Sequence, residues 1–161
     1  MDLEKIVKAL AEHDVDFVIV GGVAAILHGS SYSTTDFDIF YSREATNIEA
    51  LINALSQFHP RLRGKNIPDN LPFRFDAETL LRGLNFTFAT DKGDVDLLGE
   101  IQGLGGYAEV SKKSDRIEIF GTTCRVLSLE DLIQAKKAAA RDKDLILVKE
   151  LQALLELRKK I

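Results

Sequence analysis

Cysteine, tryptophan, proline and long apolar runs are all scarce in this sequence of 161 residues, and each shortage removes a class of protein. The single cysteine, Cys124, has no partner for an internal disulfide, so nothing suggests a fold stapled in an oxidising compartment. It lies in the apolar stretch IFGTTCRVL and reads as core packing rather than as a nucleophile. The longest apolar stretch, FVIVGGVAAIL, falls short of the roughly 20 residues that a membrane-spanning helix needs. The N-terminus, MDLEKIVKAL, is amphipathic and mixes acids with bases, unlike a signal peptide, so a soluble cytoplasmic protein with no membrane partner is expected. Positive charge is not in excess either. The net charge of −4 weighs against a general nucleic-acid-coating surface. His13, His28 and His59 lie far apart with no cysteine cluster, so a structural zinc is not expected. No Gly-x-x-x-x-Gly-Lys-Ser/Thr occurs, which excludes a P-loop. GLGGYA fits the glycine spacing of a dinucleotide fingerprint, but GLGGYAEV reads as a flexible connection, and EVSKKSDR after it is not the required helix opening.

What is present is ample apolar content, 45%, for one continuous core. The expectation is a single domain over 1–161, with a mixed-sheet core over 1–127 and a helical part over 128–161. Charge follows that division: residues 1–111 hold 9 Lys+Arg and 17 Asp+Glu, whereas residues 112–161 hold 12 and 8. Helical spacing appears in LEKIVKALAEH, VAAILHG, ATNIEALINALSQF, DAETLLRG, LEDLIQAKKAAA and DKDLILVKELQALLELRKK. Thr46 with Glu49, and Ser128 with Asp131, have the form of capping boxes, and Gly29 that of a C-terminal cap. DFVIV, FDIFY, LNFTFAT, DVDLLG, RIEIFG and TCRVLS read as strands. HPRLRGKNIPDNLPF holds all three prolines and reads as a loop. The order predicts an α+β fold, a mixed sheet flanked by helices.

The chemistry is concentrated in VGGVAAILHGSSYSTTDFDIF and GDVDLL. Residues two apart on a strand share a face, so Asp36 and Asp38 project together while Phe37 and Ile39 face the core. Asp94 and Asp96 repeat the pattern. Two carboxylates about 4 Å apart repel by roughly 4 kcal/mol at an effective dielectric near 20. Hydration or a cation must offset that, and hard oxygen donors on one face suit Mg²⁺ together with substrate phosphates. Gly21 and Gly22 follow a strand and open a helix, a geometry in which backbone amides hold phosphate. Ser30 and Ser31 can add hydroxyl donors.

Gly21-Gly22, His28-Gly29-Ser30, Thr34-Thr35-Asp36-Phe37-Asp38 and Asp94-Val95-Asp96-Leu97-Leu98 together resemble the minimal single-domain nucleotidyltransferases of the DNA-polymerase-β-like superfamily. Some of those are toxins of abortive-infection toxin–antitoxin systems. AKKAAARDKDL, residues 135–145, is similar to their Lys-x-Ala-x-x-Arg-x-Lys-Asp helix junction, and the resemblance runs from about residue 15 to residue 155. It implies a nucleotidyltransferase fold and a two-metal transfer of NMP from an NTP to a hydroxyl, with release of pyrophosphate. Asp36 and Asp38 would bridge two Mg²⁺ ions, and Asp96 would be the third carboxylate, with Asp94 its neighbour or alternative. Gly21, Gly22, Ser30, Lys136, Arg141 and Lys143 would bind the nucleotide, Asp144 would orient Arg141, and His28 reads as structural. Implied partners are the nucleotide, an RNA, protein or small-molecule acceptor, and a cognate antitoxin or a second copy of the chain. Tyr32 stands where many members have arginine. A catalytically inactive nucleotide-binding or regulatory module on the same fold is the alternative.

Overall fold

Asp2 accepts a hydrogen bond from the Lys5 amide and so caps α1 (Leu3–Glu12), which buries Ile6, Val7, Ala9 and Leu10 along one stripe. β1 (Phe17–Val20) is buried along its whole length and runs directly into α2 (Gly21–Leu27). That helix closes at Gly29, whose φ of +103° lets the Ser30 amide reach back to the Ala25 carbonyl at 3.0 Å. The predicted glycine cap is therefore formed. The computed structural model describes residues 1–68, 70–139 and 141–161.

β2 (Asp36–Tyr41), β3 (Arg61–Leu62), β4 (Phe86–Thr90), β5 (Gly93–Leu98), β6 (Asp115–Ile119) and β7 (Thr122–Val126) join β1 in a seven-stranded sheet of order β3-β4-β5-β2-β1-β7-β6. β1 with β7 and β2 with β5 are parallel, and the remaining neighbours are antiparallel. The helices are α3 (Ala45–Leu55), α4 (Ala77–Arg82), α5 (Tyr107–Lys113), α6 (Leu129–Ala139) and α7 (Asp142–Lys159). This is the mixed α+β sheet with flanking helices that the sequence predicts. Phe37, Ile39, Val95 and Leu97 alternate with the aspartates on β2 and β5 and are fully buried, so the two central strands carry core on one face and chemistry on the other. Cys124 is buried, and burial pushes its thiol up to about 11, which fits a packing role.

Several local expectations are corrected. Thr46 lies inside α3, whose N-cap, Glu44, makes no side-chain cap bond; the Glu44 amide donates to the Ser42 hydroxyl. Residues 56–58 form a separate 3₁₀ turn because the chain must bend to reach β3. The proline-bearing loop contains β3, and GLGGYAEV opens α5, with Gly106 as N-cap. Both were hidden by breaker residues that sit just outside the elements. Ser128 accepts the Asp131 amide as a cap should, but the Asp131 carboxylate turns to Lys113 at 3.4 Å. Ala140, at the predicted end of α6, and Asp69, in the proline-bearing loop, lie outside the described residues. On α7, Leu147, Val148 and Leu151 are buried and Leu154 and Leu155 half-buried, so the predicted stripe is core. Among the described residues no helix is long and apolar enough to cross a membrane.

Candidate active site

Parallel pairing of β2 with β5 sets Asp38 opposite Asp96 and Asp36 opposite Asp94. Cross-strand partners share a face, so the four carboxylates form two rows on one side of the sheet. Each row continues outward through β4: Asp96 faces Thr87, and Asp94 faces Ala89, which in turn faces Arg61 of β3. The backbone thus brings Asp36, Asp38 and Asp96 together.

Their charge is costly. Burial, and then the neighbouring carboxylates Asp96 and Asp36, push Asp38 up to about 7 from its ordinary 3.8. Burial also raises Asp96. Asp38 Oδ1 is buried with no hydrogen-bond partner. A cation does sit on the group, and it is a side chain. The Arg63 guanidinium lies 2.8 Å from Asp96 Oδ1, 3.5 Å from Asp94 Oδ2 and 3.8 Å from Asp36 Oδ2. The Arg63 amide donates to the Thr87 carbonyl at 2.9 Å, which anchors this residue just past the end of β3. Sequence reasoning missed Arg63; the cluster of basic residues in PRLRGK was the one available signal. Among the described residues, no three acidic, histidine or cysteine side chains are gathered closely enough to enclose an ion as they stand. The donor set still fits a hard divalent cation: three carboxylates share one face, and one buried oxygen lacks any partner.

Gly21 is shaped by this group. It holds φ +65°, and a Cβ there would stand 2.1 Å from Asp38 Oδ2. A Cβ on Gly22 would meet Tyr32 and Thr34 at 2.8 Å, so the loop that leads to the aspartates is packed against the second glycine. Val20 pairs with Asp38, and α2 begins at Gly21 with no side-chain cap on its first turn. A cavity of about 280 Å³ opens on this corner, and Gly21, Asp38, Lys136, Arg141, Asn85 and Glu100 are part of its lining.

The predicted nucleotide-binding residues divide. Gly21, Lys136 and Arg141 line the cavity. Asp144 organises the two cations, standing 2.7 Å from Arg141 and 3.5 Å from Lys136. Burial opposes its ionisation, yet Arg141 and Lys136 hold it below the ordinary carboxylate value. Lys143 is exposed on the first turn of α7 and does not line the cavity. Ser30 points elsewhere: its hydroxyl donates to Glu150 of α7 at 3.0 Å, and Glu150 also takes the Ser31 amide at 2.7 Å. The hydroxyl donors expected for phosphate are engaged in holding the loop to α7. His28 is buried; its Nε2 donates to the Leu127 carbonyl and its Nδ1 accepts from Arg158, a structural tie among α2, β7 and α7.

A sequence model of the aminoglycoside-2''-adenylyltransferase family matches residues 2–151. No match is found among curated proteins. Among solved structures, a Thermotoga maritima protein assigned as a nucleotidyltransferase superposes with a TM-score of 0.58 at 20% identity, over 99% of this chain and 91% of that one. The ANT(2'')-Ia enzyme in complex with adenylyl-2''-tobramycin gives 0.51 at 15% identity, over 94% and 95%. A solution structure of the antibiotic-resistance factor ANT(2'')-Ia gives 0.50 at 17% identity, over 99% and 94%. These structures share the fold.

Proposed function

The chain belongs to the aminoglycoside-2''-adenylyltransferase family, and from that premise we propose that it transfers a nucleoside monophosphate from an NTP to a hydroxyl acceptor at Asp36, Asp38 and Asp96. The observation that supports this most directly is the register that sets Asp38 against Asp96 beside Gly21 and the cavity that Lys136 and Arg141 line. A divalent ion, Mg²⁺ in the cell, held by Asp36, Asp38 and Asp96 would neutralise the triphosphate and acidify the acceptor hydroxyl. The Gly21 amide, with Lys136 and Arg141, binds the triphosphate; Gly22, predicted to share this role, is buried and does not line the cavity. The acceptor oxygen attacks the α-phosphorus, the bond to the bridging oxygen of the β-phosphate breaks, and pyrophosphate leaves with that electron pair. Asp96 takes the hydroxyl proton. Positioning and fixed charge supply the rate. Two metal ions and a role as the toxin of a toxin–antitoxin pair belong to this reading by resemblance, and soluble cytoplasmic action by the composition of the sequence.

The test is incubation of purified protein with Mg²⁺, α-labelled NTPs and a cell lysate, with label transfer and pyrophosphate both measured. Asp38→Asn should lower transfer by at least about 100-fold. Transfer that persists equally in Asp36→Asn and Asp38→Asn defeats the mechanism. One observation favours a second reading, an inactive nucleotide-binding module: Arg63 already holds the carboxylates. Manganese binding followed by electron paramagnetic resonance separates the two, since the module binds nucleotide but takes up no ion.

A further inference from the structure

Four carboxylates stand in two rows on the central strands, yet the transfer described above uses Asp36, Asp38 and Asp96 and leaves Asp94 without a task. The Arg63 guanidinium supplies one, because its two ends face different carboxylates. Nη2, at the tip of the side chain, lies 2.8 Å from Asp96 Oδ1 and 3.8 Å from Asp36 Oδ2. Nε, nearer the backbone, faces Asp94 Oδ2 at 3.5 Å. Among the described residues this Nε is buried without a hydrogen-bond partner. A buried donor left open is costly, since it has given up water and gained nothing in return.

The open bond marks a compromise. The Arg63 backbone is fixed where its amide donates to the Thr87 carbonyl at 2.9 Å, so the guanidinium moves by side-chain rotation alone. Its tip is drawn to Asp96 and Asp36, whose like charges repel, and that reach holds Nε short of Asp94. Asp91, the neighbouring acid at this rim, is engaged by Arg61 and His59. Asp94 is the more exposed of the two β5 carboxylates, 36% against 22% for Asp96. It also lies outside the row of Asp38, whose buried Oδ1 has no partner and stays open for an ion.

We propose that Asp94 is a positioning residue that holds Arg63 in place, rather than a ligand of the divalent ion. This rests on the nucleotidyltransferase reading above and assigns a task within that site. When Asp36 and Asp96 turn to the ion, the Arg63 tip lets go of them and Nε closes its bond to Asp94. Arg63 thus offsets the like charges first and is then kept beside them by a carboxylate of its own. The row of Asp38 and Asp96 supplies two ligands, and the row of Asp36 and Asp94 supplies one ligand and one counter-ion.

The experiment is Mn²⁺ binding to the full chain, followed by electron paramagnetic resonance in the parent, Asp94→Asn, Arg63→Gln and the double variant. Arg63→Gln should tighten binding and Asp94→Asn weaken it, each by about tenfold. The first removes a competing cation, and the second removes the group to which that cation withdraws. In the Arg63→Gln background, Asp94→Asn should change binding by less than about threefold, because the cycle isolates the pair. Equal weakening in both backgrounds makes Asp94 a ligand and overturns the proposal. So does an Arg63→Gln variant that binds Mn²⁺ no more tightly than the parent. NMR of the Arg63 Nε–H in the parent needs no substitution: saturating Mg²⁺ should move it downfield and slow its exchange with water. An Nε–H that Mg²⁺ leaves unmoved defeats the proposal even if the variants misfold. Failure of the underlying reading looks different, as no Mn²⁺ uptake by the parent or as uptake undiminished in Asp36→Asn and Asp38→Asn.

Discussion

Ionisation of Asp38 is opposed by the site that holds it. Its carboxyl is pushed up to about 7 by burial, Asp96 and Asp36, against 3.8 when unperturbed. Between those values the folded protein holds a proton that the unfolded chain has released, so metal-free stability falls as pH rises across this window and levels off above it. Asp96 is raised by burial and adds the same sign. Carboxylates held low, such as Asp144, contribute their opposite slope at lower pH. Urea midpoints of metal-free protein should therefore decline from about pH 5 to pH 7. Asp38→Asn should flatten that decline, and a slope unchanged by the substitution would assign it to other groups. Added Mg²⁺ requires the ionised carboxylates, so its stabilising effect should grow over the same interval.

At the scale of elements, the loop between α2 and β2 is fixed from a distance. Glu150 of α7 accepts from the Ser30 hydroxyl, the Ser31 amide and the Ser31 hydroxyl. Glu150→Ala should speed hydrogen exchange of the Ser31 amide and lower nucleotide affinity while leaving β1 and β5 protected. Exchange at Ser31 equal to the parent's would show that the loop holds without this tie. The sequence displays what is local and periodic. DFDIF and GDVDLL announce two strands with carboxylates on one face because alternation has a period of two. Arg63 is different: its place depends on β3, two residues held by pairing with β4, with no pattern of its own. Lys143 and Ser30 mark the same boundary. Residue type suits phosphate in both, but the start of α7 leaves one exposed and Glu150 engages the other. Helix spacing does not extend across a junction between helices, which is why Lys136 and Arg141 share a cavity that Lys143 does not.

Across the whole molecule, α6 and its junction with α7 close the corner proposed for the nucleotide, so that corner depends on packing remote from it. Leu151 is fully buried on the face of α7 that also carries Asp144 and Leu147. Leu151→Ala should cost about 2–5 kcal/mol, read from urea unfolding. It should also weaken nucleotide binding through the displaced Lys136–Asp144–Arg141 group. Loss of stability with unchanged nucleotide affinity would show that the cations keep their geometry without α7.

The carboxylates lie on strands that have hydrogen-bonded neighbours on both sides, whereas Arg61 and Arg63 sit on or beside a two-residue strand at the sheet's rim. Rim segments accumulate substitutions and insertions without disturbing the ladder inside them. The carboxylate rows and the rim beside them can therefore diverge at different rates. A lineage can rewrite the rim around β3 while the central strands and their carboxylates are inherited intact. The same rim is where a designed library would vary the surface without disturbing the ladder.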